Sequence, residues 1–85
     1  MQIEYSKQFE KQFKKLPKEV KLKAIELEKI FRKNPFDPKL KTHKLNGSMK
    51  DYWAFSINYS HRIGFTFESG DLVYFHAVGT HQIYK

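Results

Sequence analysis

Hydrophobic positions recur with two different spacings along this chain, and the spacing changes from strand-like to helix-like and back. Residues 1–5 alternate between apolar and polar side chains, which predicts a short strand with one buried face. Ser6 is a residue type that caps helices, and Phe9, Phe13 and Leu16 follow it at helical spacing. The beginning of the chain therefore predicts a strand followed by a short helix.

A second helix is predicted to begin at Pro17, because proline interrupts a helix but suits its first turn. The apolar stripe of this helix consists of Val20, Ala24, Leu27 and Phe31. We expect the helix to end near Asn34, before a connecting loop with two prolines. Leu22 and Ile25 lie off the stripe, so they either pack against the first helix or contact something outside the chain.

The second half of the chain contains three more strand-like runs, at residues 52–57, 61–67 and 72–78. Alternation in the middle run places Ile63 and Phe65 on one face and Arg62 on the other. The order strand, helix, helix, strand, strand, strand predicts an α+β fold of two layers. In this β-α-α-β-β-β arrangement, a helical pair covers one face of a mainly antiparallel sheet.

Length and composition narrow the class of protein. The chain has 85 residues, which predicts one domain spanning residues 1–85. It shows neither a signal-peptide core nor a run of about 18 apolar residues, so we expect a soluble cytoplasmic protein that does not enter a membrane. The absence of cysteine excludes disulfide and thiolate chemistry.

Positive charge is concentrated in the first part of the chain. The net charge is +7, and residues 7–50 hold fourteen of the sixteen lysines and arginines against five acids. A field of this sign attracts polyanions, most often nucleic acids. The alternative is that the lysines only solvate two helices.

Three polar residues are candidates for RNA cleavage. Without a metal, this reaction needs a base for the 2′-hydroxyl, cations for the phosphate and an acid for the leaving 5′-oxygen, roles that suit histidine and arginine. His43 lies in a basic loop, Arg62 begins a strand and His81 follows the last strand. The structural alternatives are a solvated loop histidine, an ion pair of Arg62 with Glu68 or Asp71, and a surface residue of a fraying tail.

The other two histidines, His61 and His76, are interpreted as structural residues. His61 points opposite Arg62, and His76 lies in an apolar strand as a buried imidazole. The histidine spacing matches no paired-ligand pattern and no phosphate-binding glycine loop is present, so we predict neither a metal site nor a small-molecule cofactor. Tyr84 either stacks on a base or packs in the core.

Four segments of the second half occur in a characteristic order. They are Leu45-Asn46-Gly47, Asp51-Tyr52-Trp53-Ala54-Phe55-Ser56-Ile57, His61-Arg62-Ile63-Gly64-Phe65 and Val78-Gly79-Thr80-His81. In order and spacing they resemble the RelE/YoeB/YafQ superfamily of bacterial toxins, and the resemblance spans the whole chain. It implies the toxin of a type II toxin–antitoxin system, an endoribonuclease that cuts mRNA in the ribosomal A site and is silenced by a cognate antitoxin.

The resemblance also implies roles for single residues. Arg62 matches the strand arginine that grips the scissile phosphate, and His43 falls where YafQ-like members have a loop histidine and YoeB has its glutamate base. His81 looks like the C-terminal histidine of YafQ, and Tyr84 resembles the aromatic residue that closes the site. The implied mechanism uses His43 as general base, His81 as general acid and Arg62 with neighbouring lysines as a phosphate clamp. The lysines implied to bind RNA are Lys39, Lys41 and Lys44.

Two other functions fit the sequence. A ParE-like relative shares the architecture but inhibits DNA gyrase by binding, and a nucleic-acid-binding module without catalysis explains the basic charge and the aromatic residues. The polar set of His43, Arg62 and His81 favours the nuclease. Gly64 departs from the family pattern, because it replaces a usually bulky residue and so either opens space beside Arg62 or marks a bulge.

Overall fold

The structure is a computed structural model that describes residues 1–47 and 51–80, which fold into two helices on one face of a sheet. The elements are β1 (Gln2–Tyr5), α1 (Lys7–Lys14), α2 (Lys18–Lys33), a 3₁₀ turn (Pro38–Leu40), β2 (His43–Lys44), β3 (Trp53–Ser56), β4 (His61–Phe67) and β5 (Leu72–Thr80). The predicted α+β fold class is confirmed, because the helical pair and the mainly antiparallel sheet follow the predicted order.

The five strands form one mixed sheet in the order β1-β5-β4-β3-β2. β1 pairs with β5 in parallel, and the other pairs are antiparallel. The sequence predicts only four strands, because β2 has two residues and is too short to show alternation. The segment expected to be a basic loop is therefore partly an edge strand, which fixes the direction of its side chains.

Phe31 occupies the centre of the core. Its ring centroid lies 5.0 Å from those of Phe55 and Phe65 and 5.5 Å from that of Phe75. All four rings have an exposed fraction of 0%. The predicted apolar stripe of α2 is confirmed, since each of its members is buried.

The two apolar residues off this stripe remain on the surface. Leu22 exposes 59% and Ile25 exposes 47% of its surface. Ile25 lines a groove of about 430 Å³ together with Phe9 and Phe13 of α1. Neither helix among residues 1–47 and 51–80 combines the length and hydrophobicity that a bilayer span requires.

Side chains of Ser6 and α1 complete the edge of β5, because β1 pairs with only the first part of that strand. The hydroxyl of Ser6 accepts from the N–H of Phe9 at 2.9 Å, which caps α1, and donates to the carbonyl of His76 at 2.7 Å. The side-chain carbonyl of Gln12 accepts from the N–H of Val78 at 2.9 Å. Ser6 therefore connects the first turn of α1 to strand β5.

We expect Ser6→Ala to lower the free energy of unfolding by about 1–3 kcal/mol, since it removes a helix cap and leaves a carbonyl without its partner. Urea unfolding followed by circular dichroism measures the change. Ser69→Ala, in the exposed turn after β4, is the matched control and should change stability by less than about 0.5 kcal/mol. Equal effects of the two substitutions would contradict the dual role of Ser6.

Candidate functional site

The pairing of β3 with β4 separates two faces of the sheet. Phe55 lies opposite Ile63 on the face that packs against the helices, and Ser56 lies opposite Arg62. Because successive side chains alternate, Ser56 and Arg62 point away from the helices. We call this second surface the site face. Its described residues include His43, Tyr52, Ala54, Ser56, Arg62, Gly64, Thr66, Tyr74, His76 and Ala77.

A cavity of about 660 Å³ lies beside the β3–β4 connection. Four cationic side chains contribute to its lining, and we call it the basic pocket. They are Lys23, Lys39, Lys41 and Arg62. Neutral polar groups of Ser56, Asn58 and Tyr59 line the same cavity. Since the cations converge on one space, the basic pocket is suited to bind phosphate groups.

The 3₁₀ turn positions two of these cations. Leu40 is fully buried, so the flanking Lys39 and Lys41 are directed to the surface. The carboxylate of Asp37 caps the turn by accepting from the backbone N–H of Lys39 at 2.9 Å. Lys41 ends the turn in the left-handed region, with φ of 53°. One buried leucine therefore anchors a pair of exposed lysines.

The positive charge of Arg62 in the basic pocket is not neutralised by an acidic side chain of the described residues. Its guanidinium donates to the backbone carbonyl of Tyr59 at 3.4 Å. Within the described part of the chain it forms no ion pair. The two acids considered as partners are engaged elsewhere, since Glu68 accepts from Thr66 and Asp71 pairs with the N-terminal amino group at 2.8 Å. The remaining N–H donors of Arg62 can bind an anion.

His43 lies on the same face as Arg62, because it pairs with Ala54 of β3. Its side chain is exposed, and its Nδ1 lies 3.1 Å from the backbone carbonyl oxygen of Lys41. A carbonyl oxygen only accepts, so Nδ1 carries the proton and donates it. The neutral ring therefore has an unprotonated Nε2, which is the atom that a general base needs.

The sheet geometry sets the separation of His43 and Arg62. The two residues are two strands apart and offset by two residues, which places their Cα atoms about 12 Å from each other. Both side chains rise from the same face. A phosphodiester bound between them is within reach of an imidazole and a guanidinium.

Not every predicted site residue joins this arrangement. Lys44 lies opposite Trp53, and its ammonium nitrogen is 6.0 Å from the centroid of the indole ring. Alternation along β2 directs Lys44 to the face opposite that of His43, so the geometry favours Lys41 over Lys44 as a partner of Arg62. His81 and Tyr84 lie outside the described residues.

The interpretation of His76 as a buried imidazole holds only in part, because its ring is hydrogen-bonded but only half-buried. Gly64 pairs with Ala77 and Phe65 pairs with Phe75, so His76 is the extra residue of a β-bulge. The bulge turns its half-buried ring onto the site face, where Nε2 lies 2.8 Å from the hydroxyl oxygen of Thr66. Gly64 was the signal in the sequence, because it marks this bulge.

Lys23 is a pocket residue that the sequence did not single out. It belongs to α2, whose other lysines are distributed over the exposed surface, and only the folded arrangement brings it to the basic pocket. The charge run of residues 7–50 was its only sequence signal. Which lysine of a solvated helix lines a cavity depends on how that helix packs.

Burial lowers the pKa of His76 below its ordinary value of 6.5, and the charge of Glu68 offsets part of this effect. The unfolded chain therefore takes up the proton at a higher pH than the folded chain. The stabilisation from neutral His76 is present above pH 6.5 and is lost as the pH falls below that value.

We expect the free energy of unfolding to decrease as the pH is lowered from about 7.5 to about 5. The decrease should be smaller in His76→Gln, because glutamine does not titrate. Urea titrations of both proteins at several pH values measure this slope. The rings of Tyr52 and Tyr74 also contact the imidazole. Identical slopes for the two proteins would show that His76 does not contribute.

Comparisons with solved structures cover nearly the whole chain. It is similar to YafQ from E. coli strain BL21(DE3), with 28% identity over 96% of this chain and 94% of that chain, and a TM-score of 0.79. It is similar to YafQ in the E. coli DinJ–YafQ toxin–antitoxin complex, with 28% identity, coverage of 95% and 92%, and a TM-score of 0.77.

A third likeness is to a YoeB/ParE toxin from Agrobacterium tumefaciens, with 20% identity over 95% of this chain and 99% of that chain, and a TM-score of 0.80. At this identity the likeness establishes the fold alone. No protein-family model and no curated protein matches the chain.

Proposed function

The chain belongs to the RelE/YoeB/YafQ superfamily of toxins, and from this premise we propose that it is an endoribonuclease that cleaves mRNA without a metal. The observation that carries the proposal is that His43 and Arg62 lie on one face of the sheet and that Arg62 also lines the basic pocket. A binding protein needs the cations but has no need of an imidazole with an unprotonated nitrogen on the same face as Arg62.

The basic pocket binds the RNA backbone in this proposal. Its lysines attract the strand and its arginine grips the scissile phosphate through two N–H groups. Phosphate contacts of this kind give affinity without sequence preference, and the affinity falls as the salt concentration rises. Lys23 takes part in this binding together with Lys39 and Lys41.

The reaction is an in-line transesterification within the RNA. Nε2 of His43 takes the proton of the 2′-hydroxyl, whose oxygen attacks the adjacent phosphorus atom. Arg62 and Lys41 stabilise the additional negative charge on the phosphate oxygens. The bond from phosphorus to the 5′-oxygen breaks, and His81 protonates that oxygen, leaving a 2′,3′-cyclic phosphate and a 5′-hydroxyl. The roles of His81 as acid and Tyr84 as a stacking residue rest on the family resemblance.

The proposed partners follow from the superfamily. One YafQ relative is seen in a toxin–antitoxin complex with DinJ, which supports a cognate antitoxin for this chain. We propose that the chain acts in the cytoplasm on mRNA in the ribosomal A site. The net charge of +7 suits both an RNA substrate and an acidic antitoxin segment.

We expect His43→Gln to lower the rate of RNA cleavage roughly a hundredfold, because the general base is lost while the phosphate-binding groups remain. Single-turnover cleavage of a labelled mRNA on ribosomes measures the rate. His61→Gln is the control, since His61 lies on the opposite face and its Nδ1 is 3.1 Å from Asn58 Oδ1. Equal loss in the two variants, or none in His43→Gln, would exclude His43 as the base.

Expression in bacteria separates the proposal from its two rivals. A nuclease arrests growth and produces new mRNA 5′ ends in primer extension, whereas a ParE-like gyrase inhibitor arrests growth without them and inhibits supercoiling. A binding module without catalysis leaves the RNA intact. Intact mRNA in arrested cells would therefore contradict the nuclease.

A further inference from the structure

We propose that the site face carries a subsite for an unpaired nucleobase, formed by Tyr52, Tyr74 and His76. This inference rests on the proposed function, because it assumes that the strand bound in the basic pocket is RNA. The subsite lies away from the basic pocket and uses none of the residues that line it. It binds a base of the strand whose backbone the pocket holds.

The three rings form one contiguous aromatic surface. The Tyr52 and His76 rings lie 4.8 Å apart at an angle of 39°, and the Tyr74 ring meets His76 edge-on at 4.6 Å and 81°. Each of the three residues is half-buried and so remains partly exposed to solvent. An aromatic ring that presents a face to solvent can stack on a base of any sequence, because every base has a π-face.

Hydrogen bonds hold the central ring of this surface in place. The hydroxyl of Thr66 donates to the carboxylate of Glu68, so its oxygen accepts from Nε2–H of His76 at 2.8 Å. Thr66 is itself buried, with 9% exposed, and the bulge fixes the backbone of His76. The imidazole is therefore oriented before a ligand arrives, which lowers the entropy lost on binding.

The floor of the sheet connects the subsite to the basic pocket. Thr66 lies four residues along β4 from Arg62, which is a distance of about 13 Å. Between them, three neighbouring strands carry only small residues on this face, at Ala54, Gly64 and Ala77. All three are buried, so a strand that joins the two sites runs over the side chains that flank them.

The local charge selects a base over a phosphate. The Glu68 carboxylate accepts from Thr66 at the far end of the subsite and repels anions, whereas the cations of the basic pocket attract them. A strand lying on the site face therefore places its phosphate at Arg62 and an uncharged base against the rings. The same carboxylate disfavours an acidic peptide at this position.

The test measures base-dependent binding without cleavage. The probe is a short oligonucleotide with 2′-deoxy sugars, which lacks the attacking hydroxyl, made with an abasic site at each position in turn. We expect one position at which removal of the base weakens binding to the wild-type protein about tenfold. In Tyr52→Leu and in Tyr74→Leu the same removal should matter less than about twofold, because each variant removes one of the two rings that contact His76.

Conservative variants separate stacking from a general loss of structure. Tyr74→Phe keeps the ring and should keep the base dependence, and Phe36→Leu, an exposed aromatic residue that packs against Trp53, should also keep it. Thermal unfolding checks that each protein is folded. Base dependence that is equal in the wild type and in both Leu variants would overturn the subsite.

Nuclear magnetic resonance gives an independent readout at His76. Its ring resonances should shift with the intact oligonucleotide and not with the abasic one at the identified position. Failure of every oligonucleotide to shift them also overturns the subsite. Base-dependent binding with no mRNA cleavage by the wild type would instead refute the nuclease and leave the subsite standing.

Discussion

Replacing Arg62 with alanine is expected to lower the rate of RNA cleavage about a thousandfold, the typical loss when a preorganised group that stabilises transition-state charge is removed. The guanidinium forms no ion pair within the described residues and donates only to one backbone carbonyl, so its charge is available to the phosphate. Its removal should therefore affect chemistry far more than stability. Single-turnover cleavage measures the first effect and urea unfolding the second.

Arg32→Ala is the matched control for this substitution, because Arg32 and Arg62 are the two arginines of the chain. Arg32 pairs with Glu28 at 3.1 Å in α2 and lines none of the basic pocket. Arg62→Lys should recover only part of the activity, since an ammonium lacks the planar fork of donors. Cleavage by Arg62→Ala at a rate close to that of Arg32→Ala would exclude Arg62 from the reaction.

Replacing Phe31 with alanine is expected to lower the free energy of unfolding by about 3–5 kcal/mol. The ring is fully buried and contacts three other buried rings, so its loss leaves a cavity that the sheet cannot fill. A folded chain of 85 residues has a total stability of only about 4–13 kcal/mol. The variant should therefore be partly unfolded at physiological temperature.

Phe36→Ala is the control for the core substitution, because this ring exposes 53% of its surface. We expect it to cost about 1 kcal/mol or less in urea unfolding. A loss below about 1.5 kcal/mol in Phe31→Ala would show that the four-ring cluster is not the centre of stability.

Much of the fold could be predicted because its signals are periodic. The apolar stripe of α2 that ends in Phe31 and the alternation around Ile63 are produced by burial of one face of each element. Burial of one face appears in the sequence as a regular spacing of hydrophobic residues. Strand β2 could not be predicted, because two residues cannot show a period and its pairing with β3 depends on distant contacts.

The candidate site was predictable only where a residue lies within a regular element. Alternation alone places Arg62 on the face away from the helices. The direction of Lys44 depends on the unpredicted strand, and that of His76 depends on a bulge that shifts the register by one residue. The position of Lys23 at the basic pocket depends on how α2 packs, which no local pattern records.

The chemical structure of the cleaved RNA ends tests the central proposal most directly. Purified protein is mixed with ribosomes carrying a defined mRNA, the metal needed to keep the ribosomes intact is present, and a parallel reaction uses free RNA with a chelator. Attack by the 2′-hydroxyl predicts a 2′,3′-cyclic phosphate and a 5′-hydroxyl, with any cleavage of free RNA unaffected by the chelator. Ends with a 5′-phosphate, or ribosome-bound mRNA that remains uncut, would contradict a reaction in which His43 is the base and Arg62 stabilises the phosphate.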